Sequence, residues 1–250
     1  SGRTDDRAVP GTLPLEEVRA MLAADDAHSP FTPETPLGVT IEWERFVPKD
    51  NPITKAKVEL GRQLYFDKRL SRDGTVSCAT CHDPAKGWTD NAPVSTGILG
   101  QMGGRSAPTV INHVLGLTQF WDGRAASLEE QAVGPVGNPI EMGHDIEVCA
   151  KQLNEIPGYR IQFESIFRGP ATPDRIGKAI ATFERTILSG ANKNDYYERA
   201  LPFFDWDPEM EDDEEMLALG NRALDLEKEH RMSASAERGR ELFFNKAKCA

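Results

Sequence analysis

The chain has 250 residues, 39% of them hydrophobic, with a mean hydropathy of −0.49, enough for one large or two modest domains. A net charge of −11 argues against nucleic acid as a partner, because phosphates reward the opposite sign. No apolar run is long enough to span a bilayer, and the four cysteines do not read as a disulfide framework.

Residues 12–25 read as a short helix. A proline-rich stretch from Ser29 to Pro52 follows, and residues 1–52 together read as an N-terminal extension. A helix over 55–66 leads into Cys78-Ala79-Thr80-Cys81-His82. C-x-x-C-H is the attachment signature of a c-type haem. The two thiols add across the vinyl groups, and the short spacing places His82 to reach the iron. A zinc half-site would need a second ligand pair, and Cys149 and Cys249 stand alone in the sequence.

Residues 83–105, rich in glycine, proline and polar residues, read as a long loop of the kind that often carries function. His113 falls in a predicted helix after Pro108. Ile146 to Leu153 has a helical pattern with Cys149 as a buried core thiol. Thr172-Pro173 starts a clear helix, with threonine as N-cap and proline in the first turn. Its apolar face is Ile176, Ile180, Phe183 and Ile187, and Gly190 is placed to end it. An acidic run from Asp205 to Glu215 reads as a solvated linker or helix face, and Met216 to His230 as a helix.

Gly61-Arg-Gln-Leu-Tyr-Phe-Asp-Lys68 recurs as Gly239-Arg-Glu-Leu-Phe-Phe-Asn-Lys246. Cys78 follows the first copy and Cys249 the second, which points to a duplicated unit. On that reading Ala250 is the first spacer of a second haem motif. No convincing strand pair is found. The fold class is mainly α, with two c-type-cytochrome-like haem domains in tandem, the second truncated. The expected domains are 53–190 around the first haem, 191–235 as an acidic linker, and 236–250 as the start of the second haem domain.

Phe120-Trp-Asp-Gly-Arg-Ala125, Ser127-Leu-Glu-Glu-Gln-Ala132, Asn138-Pro-Ile-Glu-Met142 and Glu184-Arg-Thr-Ile-Leu-Ser-Gly190 complete the pattern. With the haem motif, they make the chain resemble the bacterial di-haem cytochrome c peroxidases, including the MauG-type enzymes, from about Pro52 to Gly190 and again from Gly239. The resemblance implies two all-α haem domains, the N-terminal haem reacting with hydrogen peroxide and the other receiving electrons. It puts Glu141 at the family's catalytic glutamate, where a buried carboxyl shuttles a proton, and Gln131 at the distal glutamine. Trp121 matches the tryptophan that relays electrons between the haems. Arg124 is read as a haem-propionate partner or an ordinary ion pair, and Trp88 as packing on the porphyrin or closing its loop. Cys249 would anchor the second haem.

The chain departs from the family in the loop before Trp121. Many members carry a histidine there that caps the iron until the other haem is reduced; here the matching place is near Ile98, and no histidine lies between His82 and His113. The iron is therefore expected to be open at rest, without reductive activation. His113 and His144 read as surface or core histidines, with a part as alternative ligand or acid–base group the lesser reading. A family calcium ion is retained as an expected cofactor, but Ser106 stands where an asparagine ligand is usual.

The leading expectation is a peroxidase with haem c, taking electrons from a small c-type cytochrome or cupredoxin. The alternatives are a MauG-like oxidase of a protein or organic substrate, and a plain electron-transfer cytochrome. Covalent haem and a chain that begins at Ser1 point to the periplasm or an equivalent compartment. A homodimer is the expected assembly form.

Overall fold

A computed structural model describes residues 13–39, 42–208 and 211–249. Glu209 of the acidic run and Ala250 of the repeat lie outside them. The fold is mainly α, and the described residues show only isolated β-bridges. The chain divides into two compact units. One is built from Trp43–Leu188 and the chain before Glu34, the other from Ser189–Ala250 and Glu34–Glu42.

Among the described residues the first unit holds seven α-helices. They are α1 (Leu15–Leu22), α2 (Lys55–Phe66), α3 (Cys78–Cys81), α4 (Leu128–Gly137), α5 (Ile146–Glu155), α6 (Pro157–Phe167) and α7 (Pro173–Glu184). Helix α2 starts at Thr54, whose hydroxyl accepts from the Lys57 N–H. The closest helix pair is α2 on α7. Gly61 makes that approach possible: a Cβ added there would stand 2.0 Å from the Ala179 carbonyl oxygen. Leu60, Leu64 and Tyr65 of α2 and Ile176 and Ile180 of α7 are fully buried in one core with Tyr159 and Phe163 of α6. Side chains that interlock this tightly dominate the unit's stability.

Helix α7 begins as its sequence dictates, with Thr172 Oγ1 accepting from the Arg175 N–H at 3.3 Å. It ends at Glu184, not at Gly190. Gly190 instead packs against the Leu37 carbonyl within the second unit. Helix α4 is tied to α7 by a buried fork. Arg185 Nη1 and Nη2 donate to Glu129 Oε1 and Oε2 at 2.8 and 2.9 Å, and Asn51 Nδ2 adds a bond to Oε1 at 2.7 Å. Cys149 is buried on α5, as the helical pattern implies. His113 opens a single 3-10 turn, His113–Leu115, where a helix was predicted. That turn follows Asn112 at positive φ, and the N–H of Asn112 is held by the Ile187 carbonyl.

The second unit holds α8 (Lys193–Ala200), α9 (Glu214–Glu229) and α10 (Ala234–Glu241), the last running into a π-turn over Leu242–Lys246. Asp213 caps α9 by accepting from the Glu215 and Met216 N–H groups, so the end of the acidic run starts a helix.

Candidate functional site

The haem motif forms α3, a single helical turn. Spacing of i, i+3 puts Cys78 and Cys81 on one side of that turn. Ser77 N–H donates to Thr80 Oγ1 at 2.9 Å, closing its start, and the His82 N–H bonds the Cys78 carbonyl at 3.0 Å. The chain then folds back through Gly87 and Trp88, both at positive φ, with the Trp88 N–H on the Asp83 carbonyl at 2.8 Å.

This reversal fixes His82. Its Nδ1 lies 3.0 Å from the Pro108 carbonyl oxygen and 3.3 Å from that of Trp88. A carbonyl only accepts, so Nδ1 carries the hydrogen and Nε2 is the nitrogen left for a metal. Burial lowers the imidazole pKa, which favours the neutral, ligating form. Burial also pushes both thiols, Cys78 and Cys81, above the ordinary range.

Cys78, Cys81 and His82 open onto a cavity of about 510 Å³. Gln131 and Glu141 line the same space, as do Trp121 and Arg124. Gln131 projects from α4. Glu141 sits on the tight turn after it, where Asn138 Nδ2 donates to Glu141 Oε1 at 2.8 Å and leaves Oε2 free of that bond. Burial raises the Glu141 pKa against the opposing charge of Arg124. The loop before Trp121 is pinned to this turn. Ile98 is fully buried, its N–H donates to the Glu141 carbonyl at 2.8 Å, and Gln101 Nε2 donates to the Pro139 carbonyl at 3.2 Å.

Trp121 is 65% exposed, with Nε1 donating to the Ser106 carbonyl at 2.9 Å. Arg124 lies over the Phe120 ring, 3.5 Å from its centroid, and pairs with Asp122, which also takes Arg105. The two guanidiniums hold the Asp122 carboxyl well below the usual range. Arg124 thus makes an ion pair with Asp122.

Three predicted residues lie elsewhere. Trp88 is not among the lining residues; it closes the loop and packs edge-on against Tyr65, with Phe183 adjacent. Cys249 is exposed in the second unit. His144 is buried with Nδ1 3.3 Å from the Leu70 carbonyl and does not line the cavity, whereas His113 does. Among the described residues no cluster of histidine, cysteine and acidic side chains suits a bound metal ion, and no helix is long and apolar enough to cross a membrane.

Sequence reasoning gave no role to Glu184, which also lines the cavity. Its signal was available: it continues the Ile176, Ile180 spacing by one further turn, placing a carboxyl on the apolar face of α7.

The donor set fits a covalently held haem. Two thiols share one turn, a neutral imidazole keeps Nε2 available, and the cavity walls include Val76, Val110, Leu128, Met142 and Ile180.

A family model described as di-haem cytochrome c peroxidase matches residues 55–201. The cytochrome c551 peroxidase of Nitrosomonas europaea is 46% identical over 138 residues, covering 55% of this chain and 41% of that protein. The methylamine utilization protein MauG of Methylorubrum extorquens is 39% identical over 205 residues, covering 81% of this chain and 50% of that protein. This chain thus spans about half the length of the curated relatives it matches. The crystal structure of a MauG-like protein associated with microbial copper homeostasis superposes with a TM-score of 0.64 at 27% identity, over 89% of this chain and 55% of that one. The diheme peroxidase BthA of Burkholderia thailandensis shares the fold, with a TM-score of 0.58 at 20% identity over 78% of this chain and 48% of that one.

Proposed function

This chain belongs to the di-haem cytochrome c peroxidase family, and from that premise we propose that it reduces hydrogen peroxide to water with electrons from a small c-type cytochrome or cupredoxin. The observation that carries the reading is the meeting of Cys78, Cys81 and His82 with Glu141 and Gln131 around one cavity. Cys78 and Cys81 would hold haem c, and His82 would ligate its iron through Nε2. The haem, when bound, would supply the redox chemistry for peroxide.

The remaining work falls to the side chains. Peroxide reduction consumes two protons and two electrons and cleaves the O–O bond. Glu141 removes a proton from one peroxide oxygen and delivers it to the other, which leaves as water. A carboxyl whose pKa is raised by burial suits both halves of that transfer, and the Asn138 bond to Oε1 holds it in place for the task. Gln131 would donate a hydrogen bond that orients the peroxide. Trp121, with an exposed indole, relays the electrons. The domain around this haem is residues 53–190, followed by a linker to 235 and a second haem domain from 236, anchored in part by Cys249. A periplasmic location, a homodimer and an interdomain calcium ion belong to the same reading.

Ile98 favours a resting site that needs no prior reduction. The place where many relatives carry a capping histidine holds a buried aliphatic residue whose backbone N–H donates to the Glu141 carbonyl. The same feature keeps a MauG-like oxidase as the second reading. Glu141→Gln tests the first: a fall in peroxide turnover of roughly 10²–10⁴-fold is expected, with haem content unchanged. Unaltered turnover removes Glu141 from the mechanism. Oxidation of a protein substrate in preference to the small redox protein supports the second reading.

A further inference from the structure

Glu184 is the last residue of α7, 6% exposed, and faces the cavity. Its Oε2 has no hydrogen-bond partner among the described residues. A carboxyl oxygen left this way is costly unless it is protonated or given a partner. The neighbouring Arg185 does not supply one: its two terminal nitrogens are committed to Glu129, and its Nε makes no hydrogen bond among the described residues.

The charged and titratable groups around it come from every adjoining element. Arg185 and Glu129 act on it from α7 and α4, while Tyr65 of α2 and Cys78 of α3 feel its charge. His82, His113, Arg124 and Glu141 share its cavity. Attachment of haem turns Cys78 into a thioether and removes it from the titrating set. Burial, partly offset by Arg185 and reinforced by Glu129, pushes the carboxyl up to about 8. A ferric centre in the same low-dielectric space pulls it down again, and each electron added to that centre relaxes the pull. Its affinity for a proton therefore rises when that centre is reduced.

We propose that Glu184 is a redox-linked proton site: its carboxylate binds a proton from solvent when the haem anchored at Cys78 and Cys81 gains an electron, and releases it when the haem is oxidised. The electron comes from the small redox protein or, in a titration, from a mediator. The only bond made is O–H on the carboxylate. The coupling keeps the added charge from being left uncompensated in a buried space. It also brings into the cavity a proton of the kind peroxide reduction consumes. The inference rests on the haem reading of the cavity but not on the role of Glu141.

The test is a spectroelectrochemical titration of the haem-loaded, full-length protein without peroxide, from about pH 6 to about pH 9. The potential of the haem ligated by His82 should fall with rising pH, by up to about 59 mV per unit for one proton per electron. Glu184→Gln should remove most of that slope, and Tyr65→Phe should keep it. A flat profile in the wild-type protein, or equal slopes in wild type and Glu184→Gln, overturns the proposal. Should Glu184→Gln fail to take up haem, redox-difference infrared spectra of glutamate-labelled protein decide the matter in a Glu141→Gln background. A glutamic acid C=O band that grows on reduction supports the proposal, and its absence overturns it. A protein that keeps the slope yet does not reduce peroxide refutes the proposed function and leaves this inference standing.

Discussion

The octapeptides Gly61–Lys68 and Gly239–Lys246 share five residues and differ conservatively at the other three, yet they are in opposite structural situations. In the first, Leu64 and Tyr65 are completely buried, and the segment is regular helix to Phe66. In the second, Leu242, Phe243 and Phe244 are 50%, 47% and 44% exposed, and the helix loosens into a π-turn. Asp67 accepts from the Tyr159 hydroxyl at 2.6 Å and from the Arg69 guanidinium; its counterpart Asn245 is exposed. The local sequence makes a helix end in both places. What it becomes depends on whether a partner such as α7 closes over it, since tertiary packing supplies most of the stability of a short helix.

The sharpest way to break this contrast is to damage the partner helix. Glu129→Ala leaves Arg185, 3% exposed, as an unpaired buried charge, and should cost about 3–5 kcal/mol in chemical denaturation. Leu64→Ala should cost about 2–5 kcal/mol, whereas Leu242→Ala in this 250-residue chain should stay within about 0.5 kcal/mol. Equal losses at the two leucines would mean the second copy is packed as tightly as the first. The glycines should differ in sign. Gly61→Ala drives a methyl into the Ala179 carbonyl and should cost about 1–3 kcal/mol, while a Cβ at Gly239 meets nothing within 4 Å and Gly239→Ala should add about 0.5–1 kcal/mol of stability. Smallest of all is Tyr65→Phe. The Tyr65 hydroxyl is buried without a partner, so its removal should be neutral or mildly stabilising in a thermal melt.

The parts of the molecule that were legible in the sequence are those set by local chemistry. Thr172 and Pro173 announced α7, the repeat of Ile176, Ile180, Phe183 and Ile187 gave its buried face, and C-x-x-C-H marked the two thiols and the imidazole of the haem motif. The residues around the cavity come from segments far apart in the chain, and only the family resemblance connected Gln131 and Glu141 to the haem motif. The end of α7 was misplaced because a glycine was taken for a stop signal when Gly190 is required by its approach to Leu37. Trp88 packs edge-on against Tyr65, a direction that aromatic character alone does not give, and its carbonyl lies 3.3 Å from His82 Nδ1. Glu184 was overlooked because a carboxylate after an apolar stripe normally reads as the solvated end of a helix.

The most direct single measurement is stopped-flow absorption of the fully oxidised, full-length protein mixed with hydrogen peroxide, without prior reduction. A buried Ile98 at the place where many relatives carry a capping histidine, with Glu141 held by Asn138, predicts a rapid Soret shift in the wild-type protein. The shift should be slowed roughly 10²–10⁴-fold in Glu141→Gln. No shift in either redox state, or a Glu141→Gln protein that reacts as fast as the wild type, would contradict it.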